Sequence, residues 1–139
     1  MSDLPELYGS LLVRTDFSDD AAWEAVCAAS VMPSPEGFDA HLFFVNDPEL
    51  ADLTVDQVVA LPGAQQYGVL FIVDHMTISD PENPVVAVEP RSGAGRHFRV
   101  IPAAMWSVEN NLSIGNLQFS VFADSADPDG VFRGFASGG

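Results

Sequence analysis

Lysine is absent from the chain. All positive charge falls to Arg14, Arg91, Arg96, Arg99 and Arg133, against 20 Asp and Glu, for a formal net charge of -15. Such a chain is repelled by phosphate backbones and anionic lipids, which argues against nucleic-acid and membrane binding. A basic protein partner or a cation suits it better; the plainer reading of the charge is solubility or a salty habitat. Cysteine is nearly absent too, and the single Cys27 excludes an intrachain disulfide framework. It sits in the helical-looking WEAVC and is expected as a buried apolar residue, not a nucleophile. Long apolar runs are missing, and none approaches the ~20 residues of a membrane span. The opening MSDLPE has neither the basic region nor the apolar core of a signal peptide. The expectation is a soluble, cytoplasmic protein.

What is present is 139 residues, 47% of them hydrophobic, which suits one domain with a real core. Residues 1–9 and 136–139 read as loose ends. The organising stretch is GVLFIVDH at 68–75, apolar on both parities and so in want of cover on both faces, as a central strand is. Before it come a strand at 10–16, a helix at 19–30 capped by Ser18 or Asp16, and a strand at 38–46 that includes His41. A short helix follows, with Thr54 and Gln57 as its capping box. Beyond the central strand lie a loop at 79–84, a strand at 85–89, a hairpin loop at 90–96 and a returning strand at 97–101. Pro102 opens a helix that Asn110 and Asn111 are expected to break. A helix at 117–126, a turn at 127–130 and an edge strand at 131–135 close the chain. The fold class is α/β: a mixed sheet with a parallel β-α-β-α-β core, an antiparallel hairpin and C-terminal helices.

Three segments taken together, LLVRTDFSDDAAWEA, FRVIPAAMWSVENNLSIGN and DGVFRGF, resemble a family of small bacterial proteins, with some fungal members, known only as a domain of unknown function. The resemblance spans roughly residues 10 to 135. It implies no activity or cofactor, and no functional residue is carried over from it.

Two constellations stand out. Parallel sheets bind ligands beyond the carboxyl ends of their strands. Here those ends read Asp16, then Asn46-Asp47, then Asp74-His75. Asp16, Asp47 and Asp74 are oxygen donors of the kind that hold Mg²⁺. Otherwise Asp16 caps a helix, Asp47 begins a turn, and Asp74 pairs with Arg14. Arg14 in mid-strand needs an acid partner if buried, and Asp74 or Asp16 is the expected one. The second constellation is Trp106, Glu109, Asn110, Asn111 and Asn116, which would read a polar ligand or satisfy backbone at a helix end. Catalytic motifs are missing: no Gly-x-Ser-x-Gly elbow, no Cys/His metal spacing, and no phosphate-binding glycine loop after a strand.

Three functions stay open. The leading one is a non-catalytic acidic module that recognises a protein partner, as an inhibitor or immunity-like factor would. Asp16, Asp19, Asp20, Asp47, Glu49 and Asp74 would fall at one end of the sheet and form its face. Neutralising Asp19, Asp20 and Glu49 is expected to weaken binding and spare the fold. The second is a metal-dependent hydrolase or phosphotransfer-like enzyme using Asp16, Asp47, Asp74 and His75. The third is a self-associating structural protein, a homo-oligomer joined through 131–135.

Overall fold

The computed structural model describes residues 10–90, 96–113 and 118–135. Outside them lie both expected loose ends, most of the expected hairpin loop, and Asn116. The element order is β1 (Ser10–Arg14), α1 (Asp20–Ser30), β2 (Leu42–Val45), α2 (Val55–Val59), β3 (Leu70–Val73), α3 (His75–Ser79), β4 (Val85–Val88), β5 (His97–Val100), α4 (Met105–Ser113), α5 (Phe119–Asp124) and β6 (Val131–Phe132). Short 3-10 turns precede α2, β3 and α4.

The six strands form one sheet in the order β2-β1-β3-β4-β5-β6. β2, β1 and β3 are parallel, β4 runs antiparallel to both of its neighbours, and β6 lies parallel to β5. The expected parallel core and returning hairpin are therefore present. Alternation sorts the side chains onto two faces. Leu12, Phe71, Val73, Val85, Ala87, Phe98 and Val100 pack with Trp23, Val26 and Cys27 of α1 and with residues of α4 and α5. Leu11, Val13, Leu70, Ile72, Val86 and Val88 pack with Leu50, Val58, Val59 and Tyr67 from the β2–β3 crossover. β3 is buried at every position, as its doubly apolar sequence requires.

Four local expectations change. Asp19, not Ser18 or Asp16, caps α1 by accepting from the Ala22 N–H. Ser18 and Asp16 instead bond each other. β2 starts at Leu42, so His41 precedes the strand. α3 was not expected: Asp74 and Thr77 close a capping box directly after β3. α4 runs through both asparagines. Asn111 bonds back to the Ser107 carbonyl one turn earlier, and Asn110 reaches out to the Asp39 carbonyl, so both amides are satisfied with the helix intact. The 54–57 capping box is present as expected.

Candidate functional site

The carboxyl ends of β1, β2 and β3 lie side by side, because these strands are neighbours and parallel. The successors of β1 and β3, β2 and β4, lie on opposite sides of that pair, so the strand order reverses there. Such a reversal is where open α/β sheets place ligands.

Arg14 anchors this end. It is buried at the last position of β1, on the face that α1 covers. Nε donates to the Asp16 carbonyl at 2.9 Å, Nη1 to Asn46 at 3.3 Å, and Nη2 to Asp20 at 2.7 Å. The guanidinium lies 4.4 Å from the centroid of Phe17 and 5.5 Å from that of Trp23. Arg14 is buried, the case in which an acid partner was expected, but the partner is not the expected one. Asp74 faces Arg99, and Asp16 offers a main-chain oxygen rather than its carboxylate. Asp20, one turn into the following loop and helix, reaches back because its backbone sits at the start of α1.

Asp16 joins the loop after β1 to the segment after β3. Its carboxylate accepts from the Ser18 main chain and hydroxyl and lies 3.0 Å from His75 Nδ1. The Ser18 hydroxyl is the largest cause holding the Asp16 carboxyl below the usual carboxylate range. Burial opposes it and His75 reinforces it. The side chain of Asp16 is 12% exposed and that of His75 79% exposed. An imidazole held on a partly buried carboxylate is an acid–base pair in form. It is not a Ser-His-Asp relay, since Ser18 bonds the aspartate and not the histidine.

Asp74 belongs to a different set. Arg99 grips it with two hydrogen bonds, of 3.0 and 2.7 Å, and Arg99 also donates to the Pro84 carbonyl. Burial drives the Asp74 carboxyl upward, but Arg99 and Thr77 together outweigh it and the net shift is downward. Asp47 accepts from the Glu49 N–H and caps the turn that begins at Pro48. Asp16, Asp47 and Asp74 thus each serve a separate structural partner. Among the described residues no three His, Cys, Asp or Glu side chains gather as a metal-ligand group. Asp19 and Asp20 also have duties, as cap and as partner of Arg14. Neutralising Asp19, Asp20 and Glu49 together would therefore disturb α1 and Arg14 as well as any binding face.

The second constellation divides. Glu109 is 1% exposed and points into the molecule. It accepts from the Ser10 hydroxyl at 3.0 Å, from the His41 N–H at 2.8 Å and from Asn110 at 3.2 Å. Glu109 therefore ties α4 to the entries of β1 and β2. Trp106 is half-buried and stacks on Phe38, with ring centroids 5.7 Å apart. Cys27 is buried, and burial pushes its thiol up to about 11, which suits a core residue.

Sequence reasoning missed Arg99 and Arg133. Arg133 donates to Glu82, Asp127 and Asp129 at 2.6 to 3.2 Å. The available signal was scarcity: with so few cations in an acidic chain, each one has several acids to choose from. Val131 and Phe132, proposed above as part of a self-association surface, are buried within this chain's own core.

The model of a family described as a domain of unknown function, DUF6924, matches residues 9–135. The chain belongs to this family. The match takes in every described strand and helix, from Ser10 to Phe132. No curated protein matches the chain. Among the described residues no helix is long and apolar enough to cross a membrane.

Proposed function

We propose that the protein is a non-catalytic binding module for a basic protein partner. One observation carries this reading: each described arginine is already held by a carboxylate of its own chain. Arg14 is held by Asp20, Arg96 by Glu89, Arg99 by Asp74, and Arg133 by Glu82, Asp127 and Asp129. Meanwhile Asp19, Glu49, Asp52 and Asp56 are exposed along the segments that follow β1 and β2. The field this end projects is negative, and it steers cations inward. An inhibitor or immunity-like factor needs no more chemistry than this.

The test is affinity capture from the native host, followed by kinetics with the purified partner. The partner should be basic, and its association should slow as salt rises. The variant Glu49→Gln/Asp52→Asn/Asp56→Asn should weaken binding while its melting temperature stays level or rises. Association that ignores both salt and the triple variant would sink the proposal.

A second reading rests on the Asp16–His75 pair: His75 as general base in hydrolysis, with Asp16 orienting the ring. It predicts turnover of p-nitrophenyl esters or phosphates above the buffer rate, lost in His75→Gln. Equal rates for both proteins and buffer remove it.

A further inference from the structure

A cleft of about 430 Å³ opens between the start of α4, the loop after α1 and the segment that follows β6. That volume is in the range of small-ligand sites. Its walls include Glu36, Trp106, Ser107, Arg133 and Phe135. Each ring rests against another aromatic ring of the chain. Trp106 stacks on Phe38 at 5.7 Å, and Phe135 packs on Phe122 at 5.4 Å and on Phe132 at 5.1 Å. A wall braced in this way is formed before a ligand arrives, so little ordering is lost on binding.

The charge in the cleft decides what would enter. Arg133 looks like an anion receptor but is already saturated. Its Nε donates to Glu82, its Nη1 to Asp127 and Asp129, and its Nη2 to Glu82 and Asp129. That uses all the donors a guanidinium has. Three carboxylates on one cation leave a surplus of negative charge beside the cleft, and Glu36 in its lining adds to it. The start of α4 contributes only about half a positive charge. Its first N–H groups are partly spent, since Ala104 donates to the Ile101 carbonyl and Met105 to the Pro102 carbonyl. The acids win.

We infer that this cleft binds an organic cation: a guanidinium or ammonium group on a short apolar stem, lodged against the Trp106 and Phe135 rings with Glu36 as its counter-charge. Aromatic faces attract such groups. The two natural sources are a free amine and an arginine or lysine side chain of the basic partner proposed above. The inference rests on that proposal only for the second source.

The experiment is a titration of the uniformly ¹⁵N-labelled protein with agmatine, and separately with an acetylated, amidated arginine tripeptide. The Trp106 indole resonance should shift saturably, while that of Trp23, buried in the core, stays in place. Glu36→Gln and Trp106→Leu should each weaken binding by about three- to tenfold. Saturation by agmatine assigns a free amine; saturation by the peptide alone assigns a partner side chain. No saturable shift with either probe, or an equal shift with a neutral isostere or with acetate, overturns the inference. Partner capture that survives in Glu36→Gln and Trp106→Leu, alongside a silent titration, overturns the cleft and leaves the acidic module standing.

Discussion

Arg14 shows how a buried cation is kept. Removing it in Arg14→Met leaves the Asp16 carbonyl and Asn46 without their donor and strips a cation from the Phe17 ring. Asp20 suffers less, because its side chain is 86% exposed and water can replace the guanidinium. The expected loss is about 1–3 kcal/mol, read from the denaturant midpoint. An unchanged midpoint would place the stability of this end elsewhere. Asp74 provides the pH-dependent counterpart. Its folded-state carboxyl lies below the unfolded value of about 3.9. A depressed carboxyl contributes stability that is complete above the unfolded value and lost as pH falls through the folded one. Wild type should therefore exceed Asp74→Asn in stability at pH 7. The gap should narrow as pH drops below about 4. Urea midpoints for both proteins across that range are the measurement, and a gap that stays constant would remove the Asp74–Arg99 pair from the account.

At the scale of elements, α4 depends on Glu109. The carboxylate gathers the Ser10 hydroxyl, the His41 N–H and the Asn110 amide at the entry of two strands. Glu109→Ala leaves buried groups unsatisfied and should cost about 2–4 kcal/mol. Glu109→Gln keeps an acceptor oxygen and should recover part of that loss. Equal unfolding midpoints for Ala and Gln would mean that packing, not hydrogen bonding, fixes α4. This element also marks the limit of what the sequence revealed. Strand alternation and the Thr54–Gln57 box are local, so β1 to β5 and α2 were legible in order and type. The family segments were legible as well. The role of Glu109 was not, because its partners lie 99 and 68 residues away along the chain. α3 was missed for a different reason: the Asp74–Thr77 box is local, but it follows the apolar run without a break. Asn110 and Asn111 carry a breaker signal that a back-bond to Ser107 and a tertiary bond to Asp39 override.

At the scale of the whole molecule, the net charge of -15 has to be carried by a chain whose described arginines are all committed. Salt acts on this in two opposed ways. It screens the ion pairs, of which the exposed ones are worth little. It also screens repulsion among the remaining acids, which far outnumber the cations. Arg14 is buried and so largely shielded from the first effect, and Arg99 is mostly covered. The exposed acids Asp19, Glu49, Asp52 and Asp56 feel the second effect fully. Relief of repulsion should therefore dominate. Raising NaCl from about 0.02 to about 0.5 M shortens the Debye length from roughly 20 Å to a few ångströms. The melting temperature should rise by about 3–5 °C, corresponding to a gain on the order of 1 kcal/mol for a domain of this size. Glu49→Gln/Asp52→Asn/Asp56→Asn should start from a higher melting temperature in low salt and gain less from added NaCl. A wild-type melting temperature that falls with salt would mean that ion pairs, led by the Arg133 cluster, outweigh the repulsion, and the negative end would then hold no stored strain for a basic partner to relieve.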